Sequence, residues 1–322
     1  MSRQVAAVLV LLLGCSGSVA GNPSARIFFL DLRGKVMSAT PEGGDRQVLV
    51  DGLKGQPDGI AIDVEAGHIS WTNMGVAADN DGSIERSNLD GSNVTTIVKA
   101  GGIWTGKQLV LDKKNGKLYW SDREGLRVMR ANLDGSALET LIETGRGDEA
   151  RKDPRNWCVG IAVDVAGGKI YWTQKGGDNA NTGTIRRANL SLPRGQTAQN
   201  RTDIEVLFDG LPEPIDLELD LAKRHLYWTD RGNPPDGNTV NRTSMDAPHR
   251  RTILAGGFNE TIGIALDLDG ERMFLTDLRG SVYSLKLDGS DRKTLFTGQG
   301  TLTGIAHADL TRATTSRERK QH

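Results

Sequence analysis

The chain has 322 residues, of which 40 are glycine and only two are cysteine, and its formal net charge is −1. The balanced charge argues against a nucleic-acid binder, the hydrophobic fraction of 37% against a disordered chain, and the two cysteines against a disulfide scaffold. So much glycine, spread along the chain without a three-residue period, instead predicts many turns and therefore many short strands.

The N-terminal segment is predicted to be a secretory signal peptide. One cation, Arg3, precedes an apolar run over residues 5–13, and Ser-Val-Ala at 18–20 offers small residues for cleavage, so residues 1–20 are assigned to the signal. The alternative is a bacterial lipoprotein anchored at Cys15, because residues 12–15 resemble a lipobox. With no later run near the ~20 residues of a spanning helix, we expect a protein without a membrane span. Cys158 is then the remaining thiol, interpreted as a small buried apolar residue.

Glycosylation sequons accompany this signal. Five asparagines stand two residues before serine or threonine, which favours a glycoprotein of the secretory pathway or the extracellular space. They are Asn93, Asn189, Asn200, Asn241 and Asn259.

A repeat runs through the rest of the chain. Six segments share an aromatic or apolar pair, usually followed by a hydroxyl residue and Asp, and their second positions lie 42 to 56 residues apart. They are Phe-Phe-Leu-Asp at 28–31, Ser-Trp-Thr-Asn at 70–73, Tyr-Trp-Ser-Asp at 119–122, Tyr-Trp-Thr-Gln at 171–174, Tyr-Trp-Thr-Asp at 227–230 and Phe-Leu-Thr-Asp at 274–277.

Each repeat is predicted to be a four-stranded propeller blade. A run such as Gly-Ile-Ala-Val-Asp at 160–164 gives strand A, the aromatic pair lies on strand B, and two further short strands, C and D, follow. The first repeat begins with a B strand at 26–31, and the last A-like run, at 302–306, has no B strand after it. This last strand is therefore predicted to enter the first blade and close an all-β, six-bladed ring, which removes an exposed edge.

These motifs resemble the YWTD β-propeller family, the six-bladed module of the low-density lipoprotein receptor. The resemblance implies a propeller over residues 21–310, with residues 311–322 left as a disordered basic tail. It also implies that the aromatic pairs are structural and pack between blades. These are Tyr119, Trp120, Tyr171, Trp172, Tyr227 and Trp228.

The functional site is predicted on one face of the ring. The A–B turns and most C–D turns are short, whereas the B–C loops at 73–82, 174–183 and 230–238 and the D–A segment at 143–157 are long. Long loops on a rigid scaffold are where binding and chemistry concentrate, so this face, over the central channel, is chosen. A cation also follows most B strands, and pairing with acids of a neighbouring blade is its simplest interpretation. These cations are Arg33, Arg123, Lys175, Arg231 and Arg279.

Residues that enter strand A or lie on the long loops are the candidates for the site. The catalytic candidates are Asp58, Lys107, Glu213 and Asp216. The ligand-binding candidates are Met74, Trp104, Arg123, Asn156, Trp157, Lys175, Arg231, Phe258 and Thr303. Trp104 and Trp157 fall outside the repeat motif, which leaves a ligand wall and simple packing equally open.

Three functions are compatible with these residues. The five histidines are scattered, so no metal site is assigned. However, Asp58, Asn156, Glu213 and Asp216 resemble the oxygen ligands of gluconolactonase-type propellers, which implies a metal-assisted lactonase with one divalent cation such as Ca²⁺ at the channel mouth. Residues 79–82 are rich in oxygen ligands and could bind Ca²⁺, but an ordinary turn is the preferred interpretation. A non-enzymatic ligand-binding module is the second alternative.

The preferred hypothesis is an enzyme without a cofactor. The architecture, signal and sequons resemble the fungal eupF-type hetero-Diels–Alderases, which implies joining a tropolone quinone methide to a humulene-type sesquiterpene. In that interpretation Met74, Trp104, Trp157 and Phe258 supply apolar walls, and Lys107, Arg123 or Lys175 contact the tropolone oxygens. Asp58, Glu213 or Asp216 would assist the loss of water that generates the quinone methide. Small-molecule substrates are the expected partners, and the oligomeric state is left open.

Overall fold

The computed structural model describes residues 25–311, and within them it confirms a six-bladed β-propeller made of four-stranded antiparallel sheets. Blades 1 to 3 comprise β1 Ala25–Asp31, β2 Lys35–Ala39, β3 Gln47–Val50; β4 Pro57–Asp63, β5 His68–Asn73, β6 Gly82–Asn88, β7 Thr95–Ile103; and β8 Gly106–Asp112, β9 Lys117–Asp122, β10 Arg127–Asn132, β11 Glu139–Glu143. Blades 4 to 6 comprise β12 Cys158–Asp164, β13 Lys169–Gln174, β14 Gly183–Asn189, β15 Glu205–Leu211; β16 Pro214–Asp220, β17 His225–Asp230, β18 Thr239–Ser244, β19 Thr252–Gly256; and β20 Thr261–Asp267, β21 Arg272–Asp277, β22 Val282–Lys286, β23 Lys293–Phe296. A last strand, β24 Leu302–Asp309, belongs to blade 1.

The ring closes as predicted. Strand β24 pairs antiparallel with β1, with Phe28 opposite Ala306 and Ile27 opposite His307, and so becomes strand A of the first blade. The two ends of the described propeller are thereby joined by backbone hydrogen bonds, which leaves no open blade. The predicted signal peptide, Cys15 and the tail beyond residue 311 lie outside the described residues.

The core lies between blades, as predicted for the aromatic pairs. The indole rings of Trp120 and Trp172 are fully buried, and Tyr119 of blade 3 packs in one cluster with Trp172 of blade 4. Cys158 belongs to the same cluster, and burial raises the pKa of its thiol to about 12. The thiol is therefore a buried apolar group, which confirms the interpretation from the sequence.

In blades 2 to 6 the hydroxyl residue of the aromatic motif joins neighbouring blades, whereas blade 1 has Leu30 at this position. Thr173 of β13 accepts a hydrogen bond from the amide of Gly160 in its own blade and donates one to the carbonyl of Ile215 in the next blade, both at 2.7 Å. Thr72 and Thr229 make the same pair of contacts in blades 2 and 5. Each of these blades is therefore fixed to the inner strand of its neighbour, which holds the channel at a constant width.

In most blades the last residue of the aromatic motif fixes the segment that enters strand A, whereas in blade 2 Asn73 donates to Ser83 of strand C. In blade 3, Asp122 accepts hydrogen bonds from the amides of Trp104 and Thr105. Blade 4 departs from this pattern, because its entry segment is a short helix, α1 Gly147–Lys152, followed by a 3₁₀ turn at Pro154–Asn156. This turn presents a carbonyl, that of Arg155, to which the amide group of Gln174 donates. A carboxylate could not donate, which explains why glutamine replaces aspartate in this repeat.

Candidate functional site

The entrance to the channel on the long-loop face is lined by one residue from each inner strand. Every A–B strand pair has a register irregularity at the start of strand A, and a bulge of this kind turns the second residue of the strand towards the channel. The six residues form what we call the entrance ring: Thr303, Asp58, Lys107, Val159, Ile215 and Ile262, from blades 1 to 6 in order. None is more than 9% exposed, so the ring is the floor of the site.

The entrance ring has two halves of opposite character. Blades 1 to 3 contribute hydroxyl, carboxylate and ammonium groups, whereas Val159, Ile215 and Ile262 of blades 4 to 6 form an apolar cluster. Leu278, from the B–C turn of blade 6, packs against this cluster from above. The floor is thus an amphipathic surface, polar along one half and apolar along the other.

The third residue of strand A is glycine in four blades, which allows the inner strands of neighbouring blades to approach closely. A Cβ atom at Gly59 would lie 2.5 Å from the carbonyl oxygen of Lys107, and one at Gly160 would lie 2.0 Å from that of Ile215. Only glycine fits such a contact. Blades 3 and 5 break the rule with Gln108 and Asp216, so these two blades add polar side chains just below the ring.

The polar half is organised around a buried ion pair. The ammonium of Lys107 contacts the carboxylate of Asp58 and lies 3.1 Å from the sulfur of Met74, while the amide of Gln108 donates to the other oxygen of Asp58 at 3.3 Å. Burial lowers the pKa of Lys107, against the opposing effect of Asp58. Thr303 completes this half by donating to the carbonyl of Pro57. The structure therefore brings together four predicted residues, namely Asp58, Met74, Lys107 and Thr303.

A second ion-pair cluster lies above the ring. Glu213 accepts from Lys175 and from Arg231, each at 2.7 Å, and Lys175 also contacts Asp178 at 2.6 Å. These contacts lower the pKa of Asp178. Among the predicted inter-blade pairings, that of Lys175 with Glu213 is present. Arg231 pairs most closely with Glu213 of its own blade and also contacts acids of both neighbouring blades, Asp178 at 3.8 Å and Glu260 at 4.0 Å. Arg33 and Arg123 likewise pair with acids of their own blades, Asp31 and Glu124.

Trp157 stands between the two charged clusters. Its ring lies 5.1 Å from the guanidinium of Arg123 and 5.7 Å from the ammonium of Lys175, and its indole nitrogen donates to the carbonyl of Arg151 at 2.8 Å. Asn156 fixes the preceding turn by donating to the carbonyl of Ala150. Trp157 is half-buried at the entrance, whereas Asn156 acts on its own loop and does not face a ligand.

Asp216 differs from the other acids of the site. Its two oxygens accept from the amides of Leu217 and Ile264, and no cation lies within salt-bridge distance in residues 25–311. Burial raises the pKa of Asp216 well above the usual range, and the charge of Glu218, which lies next along the same side of the strand, raises it further. Glu218 itself has its pKa raised to about 7 by burial. Asp58 and Glu213 are paired with cations, whereas the surroundings of Asp216 disfavour its charged form.

Two predicted wall residues lie elsewhere. Phe258 is part of the core between blades 5 and 6, edge-to-face with Tyr283 at 5.1 Å and beneath Arg292, so its assignment as a pocket wall is corrected. Trp104 donates to the carbonyl of Ala77 and stacks under Arg151 at 3.6 Å. It therefore joins two loops instead of facing the ring. In both cases local packing partners decide the orientation, and these come from other blades.

The apolar half was missed from the sequence. Val159, Ile215, Ile262 and Leu278 were not assigned to the site, although three of them hold the same strand position as Asp58 and Lys107. Alignment of the second residue of each A strand would have found them. Apolar residues in a repeat are ordinarily interpreted as core, so the sequence analysis did not consider them as part of the site.

The metal donors and the sequons occupy definite positions in the fold. Among residues 25–311, no three His, Cys, Asp or Glu side chains are grouped as a metal ion requires. In the 79–82 loop, Asp81 accepts from the amide of Val76, which is a turn contact.

Asn241 is fully buried on β18 and donates to Thr239, so the folded chain has no room for a glycan there, and this sequon is corrected. Asn93, Asn189, Asn200 and Asn259 are exposed.

Comparison with known proteins identifies relatives along most of the chain. A low-density lipoprotein receptor-related protein 1 of Pyricularia oryzae is 44% identical over 307 residues, covering 88% of this chain and 98% of the relative. The chain belongs to this low-density lipoprotein receptor-related family of propellers. A 3-hydroxyacyl-CoA dehydrogenase-like protein of Cochliobolus heterostrophus is 42% identical over 266 residues, and the match spans 56% of that relative. No protein-family model matches the chain.

The family's fold agrees with a solved structure. A chain of the nidogen–laminin complex superposes on 88% of this chain with a TM-score of 0.70, at 22% identity. At that identity the likeness concerns the fold alone. Among the helices of residues 25–311, none is long and apolar enough to cross a membrane.

Proposed function

We propose that this member of the low-density lipoprotein receptor-related family is a small-molecule enzyme of fungal secondary metabolism. Its reaction is a cofactor-free hetero-Diels–Alder cyclisation that joins a tropolone quinone methide to a humulene-type sesquiterpene. The observation that carries the proposal is the division of the entrance ring into a polar and an apolar half. One substrate is polar and the other is a hydrocarbon, so a floor of this kind orders them side by side.

The residues of the two halves have distinct roles in this proposal. Lys107, Arg123 and Lys175 donate to the tropolone oxygens, where negative charge develops as the ring regains aromaticity. Val159, Ile215 and Ile262 hold the alkene, and the half-buried Trp157 covers the ring plane. Cyclisation forms one C–C and one C–O bond with no net redox change, so the enzyme supplies orientation and electrostatic stabilisation.

Formation of the quinone methide requires the loss of water. A proton must reach the departing hydroxyl group, and Asp216 suits this role, because burial raises its pKa and no cation of residues 25–311 lies within salt-bridge distance of it. Asp58 and Glu213 were equal candidates in the sequence, but their ion pairs make them acceptors. We therefore assign the dehydration step to Asp216.

The proposal is tested by product formation. The purified protein is incubated with a quinone-methide precursor and a humulene-type alkene, and the adduct is separated by chiral chromatography and measured by mass spectrometry. Ile262→Thr should lower the enzymatic rate about tenfold, because it places a hydroxyl in the alkene half. Ile253→Thr, the same change at an exposed position on β19, is the matched control and should leave the rate unchanged. Adduct formed at the same rate and isomer ratio without protein would refute the proposal.

A second candidate is a non-enzymatic binding module. The entrance ring supports this candidate, because its residues are at most 9% exposed. A closed floor of this kind suits a broad ligand as well as a small one. The metal-assisted lactonase has no grouped donor set in residues 25–311. Chelation with EDTA during the same assay addresses it directly, since loss of turnover restored by Ca²⁺ would favour the lactonase.

We also propose that the protein enters the secretory pathway. The family assignment to receptor-related propellers supports this, as do the predicted signal at residues 1–20 and four exposed sequons. The propeller over residues 21–310 would then be the mature domain, followed by the tail at 311–322.

A further inference from the structure

The sequence Asp-Leu-Arg-Gly occurs twice, at residues 31–34 and 277–280, at the end of strand B in blades 1 and 6. The two copies form the same turn. The glycine amide donates to the aspartate carbonyl in both, at 2.8 Å for Gly34 and 3.1 Å for Gly280, and each arginine amide lies 3.1 Å from the carboxylate of its own aspartate. The backbone therefore gives Arg33 and Arg279 the same starting point.

Their side chains nevertheless differ. Arg33 folds back on its own turn, and its guanidinium donates to both oxygens of Asp31, at 3.2 and 3.0 Å. In blade 6 one oxygen of Asp277 is already occupied, because the hydroxyl of Tyr283 donates to it at 2.8 Å. Within residues 25–311 no carboxylate lies within salt-bridge distance of Arg279, and its side chain is exposed.

Two positions account for the difference. Two residues before strand A, blade 1 has Gly300, where a Cβ atom would lie 2.3 Å from the guanidinium of Arg33, and blade 6 has Asn259, whose amide lies 3.5 Å from Asp277. The other position is on strand C. Tyr283 lies opposite Leu275, two residues before Asp277, and the equivalent position of blade 1 is Met37, opposite Phe29. Methionine has no hydroxyl to donate, so Asp31 remains available to Arg33. Tyr283 and Asn259 together thus leave free an arginine that the same tetrapeptide holds in blade 1.

Arg279 is released beside the apolar half of the entrance ring. Its neighbour Leu278 packs on Val159, Ile215 and Ile262. The other cations at the entrance are already paired, Lys107 with Asp58, and Lys175 and Arg231 with Glu213 and Asp178. An incoming anion would have to displace a carboxylate from those cations, whereas at Arg279 it would meet a free guanidinium.

We propose that Arg279 is the anchor for an oxyanion carried by an otherwise apolar ligand, such as an ionised enol or tropolone on an unsaturated ring. The guanidinium presents a planar pair of donors that matches two adjacent oxygens, and the apolar half of the entrance ring accepts the hydrocarbon part. This inference rests on the proposed function, because it specifies the substrate class of the same site.

The test uses tropolone as the probe, at a pH where it is ionised, and tropone, its neutral analogue without the hydroxyl group. Binding to the full-length protein is measured by titration calorimetry. Arg279→Gln should weaken tropolone binding about tenfold, as expected for the loss of a charged hydrogen-bonded pair. Arg279→Lys should recover part of the affinity, because it restores the charge but not the paired donors. Tropone should bind the wild type and the Arg279→Gln variant with equal affinity.

The matched control is Arg33→Gln, the same change in the same tetrapeptide. It should leave tropolone binding within about twofold, since Arg33 is held by Asp31. Equal losses in the two variants, an unchanged affinity in Arg279→Gln, or no tropolone binding by the wild type would each overturn the inference. Tropolone bound through Arg279 without any cyclisation would support the inference and refute the proposed reaction. Cyclisation that is insensitive to Arg279→Gln would do the reverse.

Discussion

The two halves of the entrance ring occupy the same strand position in the same fold, yet one half holds polar and charged side chains and the other holds aliphatic ones. Each residue lies within the register shift at the start of strand A, so the propeller supplies six equivalent places. In blades 2 and 3 those places hold Asp58 and Lys107, which must be kept together because each charge is buried. In blades 4 to 6 they hold aliphatic residues with no such dependence. Symmetry of the backbone therefore fixes where a site lies, and the side chains decide what it does.

The acids below the two halves extend the contrast. Asp58, in the polar half, has a cation and an amide donor. Asp216 and Glu218 lie on the inner strand of blade 5, in the apolar half, and the surrounding protein raises the pKa of both. The protein thus disfavours the charged form of the carboxyls in the apolar half, because a buried carboxyl without a cation is more stable when neutral.

The largest expected effect comes from breaking the pair in the polar half. Asp58→Ala leaves the buried Lys107 without its carboxylate, and the free energy of unfolding should fall by about 3–5 kcal/mol, measured by urea denaturation. The double variant Asp58→Leu with Lys107→Met removes both charges and should recover most of that loss. A double variant no more stable than Asp58→Ala would mean that packing, not the unpaired charge, sets the cost.

A smaller, pH-dependent effect is expected below the apolar half. The pKa of Glu218 is raised from ~4.3 in the unfolded chain to about 7, so the folded protein binds this proton more tightly. Its contribution to stability is therefore present at low pH and is lost as the pH rises from ~4 to ~7. Glu218→Gln should gain stability over the wild type across this window, by about 1–3 kcal/mol at pH 8. Urea denaturation at pH 4.5, 6 and 8 measures it, and a pH-independent difference would contradict the assignment.

The smallest effect is expected within the apolar half itself. Ile262→Val removes one methylene from the cluster with Val159 and Ile215, and should cost about 0.5–1.5 kcal/mol in the free energy of unfolding. The same change at the exposed Ile253 should cost less, because that side chain contacts water in the folded state. If the two variants were equally stable, the cluster would not be a packed unit.

The sequence predicted the fold in some detail. The spacing of the aromatic pairs indicated six blades, and the unpaired run at 302–306 indicated the closure of the ring, because both depend on local pattern. It also indicated the mouth, since Asp58, Lys107, Glu213 and Asp216 all lie where strand A begins. The burial of Asn241 could not be predicted, because a sequon carries no information about which face of its strand is covered.

The sequence by itself determined the architecture, through repeat period, turn residues and the alternation of strands. Only the tertiary structure decided which charges meet and which stay free. Asp58 and Lys107 are 49 residues apart and belong to different blades. The identical turns around Arg33 and Arg279 diverge because of residues on the next strand and on the segment that enters strand A. Local pattern sets the path of the backbone, whereas the partner of a side chain is chosen across strands and blades, at separations that no short motif encodes.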